Sequence, residues 1–205
     1  GTIAVSNISG TGITLTGIIT NSGTITVSNT GSGSFGISGG TITNNLGGIV
    51  TVSNSGASLN TGITSNVFSN SGTVTVSNTA FNSHGFDSGF LLTNNPGGII
   101  TVSNSGSSLI GITSPISNSG TIIVSNTVGT GISGGLTNNL GGTVTVSTIG
   151  GSSVGITTGS LSNSGTITLS NSVGTSIGNG AGIINTASGI VNNTGTLLIT
   201  GNIVI

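Results

Sequence analysis

The chain has 205 residues, 40 of them Gly, with a formal net charge of −1 and no Lys, Arg, Cys, Met, Trp or Tyr. Without Lys or Arg it lacks the electrostatic attraction that holds nucleic acids and anionic membranes, so we expect neither partner. No apolar run reaches the roughly 18 residues of a membrane-spanning helix, so we expect no membrane insertion.

One heptapeptide, Gly-Thr-(Ile/Val)-Thr-Val-Ser-Asn, recurs along the chain and predicts a long β-strand. Aliphatic and hydroxyl residues alternate in it with a period of two, which predicts one inward and one outward face. Its second apolar residue recurs every 22 to 26 residues, at Val5, Val27, Val52, Val76, Val102, Val124, Val146 and Leu169. A charge-free repeat of this length is typical of a solenoid.

The long strand ends in an Asn that shares the inward parity. The positions are Asn7, Asn29, Asn54, Asn78, Asn104, Asn126 and Asn171. Stacked amides can hydrogen-bond to one another along a solenoid axis, and such bonds satisfy polar groups at a buried corner. We therefore predict an asparagine ladder at the end of the long strand.

Two shorter apolar motifs follow the long strand. The first is a Gly-Ile-(Thr/Ser) step at Ile37, Ile63, Ile112, Ile132 and Ile156. The second is found at Ile19, Ile42, Phe68, Leu92, Ile116, Leu136 and Leu161, before corners that end in Asn21, Asn45, Asn70, Asn95, Asn118, Asn139 and Asn163. Three strands per repeat predict a triangular coil. The fold class is therefore all-β, a parallel β-solenoid of about nine coils in one domain over residues 1–205.

The corners after the third strand alternate between two forms. Asn-Ser-Gly corners, such as 21–23 and 70–72, alternate with corners that carry an extra residue, such as 45–48 and 95–98. This alternation predicts that two coils form the repeating unit. After Leu169 the pattern is ambiguous, since residues 189–193 and 195–199 each fit the next long strand.

Residues 19–29, Ile-Thr-Asn-Ser-Gly-Thr-Ile-Thr-Val-Ser-Asn, resemble a known type of repeat. They are similar to the Ile-x-Asn-x-Gly-Thr-Ile runs of β-helical passenger regions in autotransporter and filamentous-haemagglutinin-type adhesins. Looser copies extend the resemblance over nearly the whole chain. The resemblance implies a right-handed parallel β-helix that is secreted and displayed outside the cell or at its surface.

The only charged side chain and the only His lie together in residues 81–90, Phe-Asn-Ser-His-Gly-Phe-Asp-Ser-Gly-Phe. Catalysis usually needs an acid and base pair, a metal cluster or an activated nucleophile. One His and one Asp are more typical of an ordinary coil with a polar surface turn. We therefore expect no enzyme, no catalytic residues, no metal and no cofactor. His84 and Asp87 remain candidates for a contact between subunits, and we interpret Phe68, Phe81, Phe86 and Phe90 as local packing.

The first and last segments predict how copies associate. The first begins directly with a long strand at Gly1, Thr2, Ile3, Ala4 and Val5, and the last contains the apolar residues Leu197, Leu198, Ile199, Ile203, Val204 and Ile205. Neither segment shows the polar cap that an isolated solenoid needs. With little charge to repel its copies, the chain is predicted to stack head to tail into an open-ended homo-oligomeric filament.

Two other functions compete with an extracellular structural fibre. The chain could form the stalk of a secreted adhesin, which holds a binding tip away from the cell. It could also bind ice, because outward Thr-x-Thr pairs such as Thr24 and Thr26 resemble the arrays of ice-binding solenoids. Ala4, Ile49, Ile99 and Ile123 interrupt that array, and Thr is also common in strands for reasons of β-propensity.

Overall fold

A computed structural model describes residues 1–7, 9–56, 58–79, 81–87, 91–106, 109–126, 128–150, 153–171, 175–179, 183–193, 196–199 and 203–204. Every regular element in these ranges is a β-strand, and no helix that could cross a membrane is found among them. Gly, Ser, Thr, Asn and β-branched aliphatics favour extended backbone over helix, which accounts for this outcome.

The strands are, in chain order, β1 (Thr2–Asn7), β2 (Ile13–Asn21), β3 (Thr24–Asn29), β4 (Phe35–Asn44), β5 (Ile49–Asn54), β6 (Thr61–Thr64), β7 (Val67–Asn70), β8 (Thr73–Asn78), β9 (His84–Phe86), β10 (Leu92–Asn94), β11 (Ile99–Asn104), β12 (Leu109–Ile112), β13 (Ile116–Asn118), β14 (Thr121–Asn126), β15 (Gly129–Ile132), β16 (Leu136–Asn138), β17 (Thr143–Thr148), β18 (Val154–Thr158), β19 (Leu161–Asn163), β20 (Thr166–Asn171), β21 (Thr175–Asn179), β22 (Ile183–Asn185), β23 (Ile190–Asn193), β24 (Thr196–Ile199) and β25 (Ile203–Val204).

The strands pair in parallel and form the three faces of one solenoid. Face 1 is a nine-stranded sheet with the order β1-β3-β5-β8-β11-β14-β17-β20-β23. Face 2 contains β6, β9, β12, β15, β18, β21 and β24, and face 3 contains β7, β10, β13, β16, β19, β22 and β25. The long strands β2 and β4 run through both of these faces and join them into one sixteen-stranded sheet. The predicted parallel β-solenoid is therefore confirmed.

The structure contains about seven regular turns, slightly fewer than the nine coils predicted. Seven regular turns, from β3 to β22, lie between a first coil made of β1 and β2 and a last coil made of β23, β24 and β25. The last coil departs from the repeat because Asn193 in β23 pairs with Leu169 and takes the place of the second aliphatic residue. Residues 189–193 thus continue face 1, whereas residues 196–199 form β24 and pair with β21 on face 2.

The core consists of three columns of aliphatic and aromatic side chains, one from each face. On face 1 the registered residues pair directly, as Val27 with Val52 and Val52 with Val76, and all three are fully buried. On faces 2 and 3 the predicted apolar residues align in the same way, and Phe86 and Phe68 replace aliphatic residues. Their rings meet edge to face at 5.3 Å between centroids, a favourable geometry for an aromatic pair.

A glycine column on face 2 allows the faces to approach closely. A Cβ built on Gly62 would collide with Val76 Cγ1 of face 1 and with the carbonyl oxygen of Gly85 in the next coil. The same collisions arise at Gly36, Gly85, Gly111 and Gly131. The Gly of the Gly-Ile step is therefore required by packing, because any side chain there would displace a core valine.

Candidate functional site

A continuous asparagine column runs along the third corner of the solenoid, where face 3 leads into face 1 of the next coil. Its members are Asn21, Asn44, Asn70, Asn94, Asn118, Asn138, Asn163 and Asn185. Each Nδ2 donates to Oδ1 of the next member over 2.8 to 2.9 Å. Seven successive links thus tie eight coils together, and every link points in the same direction.

The amides of this column also bind the backbone within and between coils. Asn94 Nδ2 donates to the Gly98 carbonyl at 3.1 Å and to the Thr121 carbonyl at 3.1 Å, in addition to Asn118. Asn70 Oδ1 accepts from the Gly72 amide over 3.2 Å. Because Asn94 is fully buried, these bonds satisfy groups that would otherwise be costly to hide from water.

The sequence pattern marked the ends of these corners but did not predict a ladder here. Where two asparagines follow each other, the first one (Asn44, Asn94 or Asn138) joins the column, whereas the pattern named the second one as the end of the corner. The second Asn bonds to surface hydroxyls instead, as Asn95 does with Ser69 and Ser71. Parity carries the missed signal, since Leu92 and Asn94 are two residues apart and share a face.

The ladder predicted at the end of face 1 exists only in part. Asn54 donates to Asn78 at 3.0 Å and Asn78 to Asn104 at 3.2 Å, but the buried Oδ1 atoms of Asn29, Asn54 and Asn126 have no partner. The Nδ2 groups bind instead the carbonyl near the start of face 2, as Asn29 does with Phe35 and Asn126 with Thr130. We call this the interrupted asparagine column.

The outward side of face 1 is a regular lattice of hydroxyl groups. Its middle column contains Ala4, Thr26, Thr51, Thr75, Thr101, Ile123, Thr145, Thr168 and Asn192. Beside it runs an uninterrupted column of Ser6, Ser28, Ser53, Ser77, Ser103, Ser125, Ser147 and Ser170. Thr51 and Thr101 extend the array beyond the Thr pairs predicted from sequence. On the other side of the middle column lies a further outward column, which Ile49 and Ile99 interrupt as expected.

His84 and Asp87 lie together on face 2 and contact each other within the chain. His84 Nδ1 is 3.5 Å from Asp87 Oδ2, and Asp87 Oδ1 accepts from Thr113 Oγ1 of the next coil at 2.8 Å. Phe86 between them occupies the inward position, as predicted, and is fully buried. Phe81 is about half exposed, and Phe90 lies outside the described residues, so the packing interpretation is confirmed for Phe68 and Phe86.

The segments expected to form the assembly ends lie at opposite ends of the stack. Gly1 accepts from the Thr24 amide through its carbonyl, and Thr2, Ile3, Ala4 and Val5 belong to β1, the edge strand of face 1. Leu197, Leu198 and Ile199 belong to β24, and Ile203 and Val204 belong to β25. Ile205 lies outside the described residues. Ile3 is 46% exposed, whereas Ile25, its neighbour in the same core column, is 2% exposed.

Comparisons with family models, curated proteins and solved structures find no match to this chain.

Proposed function

We propose that this chain is a structural protein, the subunit of an extracellular fibre that grows head to tail by stacking solenoid ends. The observation that carries the proposal is the continuous asparagine column. Its seven links all run from Nδ2 of one coil to Oδ1 of the next. The column therefore has an acceptor end toward β1 and a donor end toward β25.

This polarity determines how a second copy can be added. All the strand pairs are parallel, so the backbone edges at the two ends of the stack are also different. Parallel pairing and one-way amide bonds both continue only when the next copy has the same orientation. Such a heterologous contact does not close and generates a filament.

Two further properties favour axial growth. The edge of β1 that faces away from β3 has no partner among the described residues, and a strand edge of this kind is a template for another strand. A coil stacked on β1 would bury Ile3 as Ile25 is buried in the next rung. With one Asp and no Lys or Arg, copies meet without the repulsion that keeps charged proteins apart.

The resemblance of the repeats to surface adhesins supports an extracellular location for the fibre. A chain rich in hydroxyl, amide and aliphatic side chains, with only one charged residue, suits a material more than a catalyst. The same resemblance supports the alternative of an adhesin stalk. In a stalk the additional coils come from one longer polypeptide and not from other copies of this chain.

The test is electron microscopy and analytical ultracentrifugation of the folded chain. We expect unbranched fibres with an axial repeat of about 40 Å, for nine rungs spaced about 4.8 Å apart. Ile3→Asp should block fibre growth, because it places a charge in the contact between two stacked copies. Ala4→Asp, on the outward face of the same strand, should leave fibres intact. A native chain that keeps its β-structure and stays monomeric at high concentration would overturn the fibre and favour the stalk.

A second candidate function, ice binding, is favoured by the middle column of face 1. Six of its nine positions are Thr, aligned in register on a flat parallel sheet. Such spacing can order water into a surface lattice. Ice-recrystallisation assays test this function: Thr75→Tyr should abolish inhibition by breaking the flat face, whereas Thr93→Tyr on face 3 should not. A native protein without effect on ice growth excludes it.

A further inference from the structure

A slot on face 2 distinguishes three successive coils, those that contain β4, β6 and β9, from the rest of the solenoid. Phe35, Thr61 and His84 occupy the same position in three successive rungs. Rungs are about 4.8 Å apart, so the backbones that carry the two rings are separated by about 9.6 Å. The smaller Thr61 leaves a gap between them of about 180 Å³, whose other walls are Leu59, Asn82 and Asp87.

The slot concentrates features that are rare elsewhere in the described chain. It contains the only His and the only Asp of the sequence. Leu59 and Asn82 are the two described non-glycine residues with positive φ, at 56° and 52°, and such backbone conformations concentrate at functional sites. Leu59 is 64% exposed and Phe35 38% exposed. A larger groove beside Ser77, Ser103 and Ser125 is lined by the Ser, Thr and Asn residues of the repeat, with Ile149 as its one large apolar residue.

The polar groups of the slot are held in place from within the protein. Thr113 Oγ1 donates to Asp87 Oδ1, and Oδ2 lies near His84 Nδ1, so the carboxylate is fixed while His84 Nε2 is not engaged by Asp87. The His84 carbonyl accepts from Asn78 Nδ2 over 2.7 Å, and its amide donates to the Asn60 carbonyl over 2.9 Å. Rigid support of this kind reduces the ordering cost of binding a ligand.

The combination of walls selects the chemical class of the ligand. Phe35 and Leu59 offer an apolar wall, whereas Thr61, Asn82, His84 and Asp87 offer hydrogen-bond donors and acceptors. An anion is disfavoured because the chain has no Lys or Arg and the slot contains a carboxylate. A ligand with one apolar face and a rim of hydroxyl groups matches both kinds of wall.

We propose that this slot binds one neutral pyranose ring. The ring of Phe35 lies against the apolar face of the sugar, and Asp87 accepts hydrogen bonds from its hydroxyls, with Asn82 and His84 as further partners. The volume suits one monosaccharide unit, so the natural ligand is a terminal or exposed residue of a glycan. The site is independent of axial stacking, and in a fibre it recurs once per subunit.

His84 is a built-in reporter for the test, because it gives the only imidazole signals of the chain. The full-length Ile3→Asp variant, which should not assemble, is labelled with isotopes at His, titrated with the methyl pyranosides of glucose, galactose, mannose and N-acetylglucosamine and followed by solution NMR; solid-state NMR follows the same titration on native fibres. We expect at least one of them to shift the His84 signals saturably, with a dissociation constant of about 1 to 10 mM.

Matched variants separate the slot from the fold. Phe35→Ala should weaken sugar binding about tenfold through loss of the ring. The affinity of Phe35→Leu should lie between that of Phe35→Ala and that of the native chain. Asp87→Asn should weaken binding about fivefold, because a neutral amide replaces a charged acceptor. Leu140→Ala, which changes an exposed side chain at a third corner, should leave binding unchanged. Circular dichroism of each variant verifies the β-structure.

Three results would overturn the proposal. The first is the absence of a saturable shift with all four sugars, and the second is binding that Phe35→Ala and Asp87→Asn leave unaltered. The third is a saturable response to tetramethylammonium without any response to sugars, which would identify a cation site made by Phe35 and Asp87. Fibre formation is scored separately on the same samples, so failure of sugar binding does not decide the structural role.

Discussion

The two asparagine columns use the same residue at two corners of the same solenoid, with different results. In the continuous column every amide from Asn21 to Asn163 donates to the next coil. In the interrupted column buried Oδ1 atoms at Asn29, Asn54 and Asn126 have no partner, and the amides bind carbonyls within their own coil. The side chain alone does not make a ladder.

The lengths of the turns explain the difference. At the third corner the step from the column Asn to the next strand is three residues or five in strict alternation, as from Asn21 to Thr24 and from Asn44 to Ile49. At the first corner, between faces 1 and 2, the step varies from three residues after Asn126 to seven after Asn54. The asparagines of face 1 stay in register from coil to coil, so the variable loops change which acceptor each amide reaches and not the alignment of the column.

The turns at the third corner alternate in length with a period of two coils, in keeping with the alternation in the sequence. In the longer corners Gly48 donates to the Asn45 carbonyl, and Gly98 donates to that of Asn95, closing a four-residue turn. Gly47 and Gly97 take the third place of these turns with φ near +80°, as a type II turn requires. The extra residues therefore loop outward and leave the column in register. Among the described residues of the first corner no such turn repeats from coil to coil, and that corner depends on the glycine and valine packing of faces 1 and 2.

The largest effect should come from a charge in the continuous column. Asn94→Asp removes three donated hydrogen bonds and buries an unpaired carboxylate, so we expect a loss of about 3 to 5 kcal/mol in the free energy of unfolding. Asn95→Asp, one residue away among surface hydroxyls, should cost about 1 kcal/mol or less. Chemical denaturation followed by circular dichroism measures both. Acid should restore part of the Asn94→Asp stability by protonating the buried group. Equal losses would mean that the wrong Asn has been assigned to the column.

A Thr substitution compares the two columns directly. The interrupted column already contains Thr148, whose buried hydroxyl has no partner. Asn126→Thr should therefore cost about 1 kcal/mol, whereas Asn118→Thr removes links to both neighbouring coils and should cost about 3 kcal/mol. Chemical denaturation of the two variants and of the native chain measures this difference as a shift in the denaturation midpoint. If the two variants prove equally stable, the axial links add nothing beyond the corner bonds, and the support for the fibre proposal is lost.

Packing at the first corner can be tested at Gly62. Gly62→Ala should destabilise the protein by about 1 to 3 kcal/mol, since the new methyl group meets Val76 and the Gly85 backbone. Gly159→Ala is the control, because nothing lies within 4 Å of its Cβ position, and its effect should stay within about 0.5 kcal/mol. Thermal melting compares the pair. A silent Gly62→Ala would show that the amides of the interrupted column hold this corner after all.

The sequence was sufficient to predict the three core columns as far as Leu169. Alternation of Thr with Val or Ile has only one interpretation on a strand, so positions such as Val76 and Ile63 could be assigned to the interior before the structure was known. The same parity argument, applied from Leu92, would have identified Asn94. Its neighbour Asn95 was named only as the end of the corner, because the turn was considered as a unit and not residue by residue.

Two features could not be predicted from spacing. Whether an Asn reaches the next amide or a nearer carbonyl depends on the path of a loop, and the loops at the first corner vary in length from two to six residues. The slot combines residues from three coils, and the positive φ of Leu59 and Asn82 has no signature in sequence. Only the register of Phe35, Thr61 and His84 shows that two rings face a common gap.

The smallest effect should come from removing both titratable side chains of the slot. His84→Ser combined with Asp87→Ser restores hydroxyl residues of the kind that other coils carry. The two side chains are 32% and 50% exposed, and pairs this exposed contribute little to stability. We expect a change within about 0.5 kcal/mol and unaltered fibres. Ultracentrifugation and microscopy of the double variant check assembly. If fibres fail to form, the pair makes a contact between subunits, and growth is not governed by the axial columns alone.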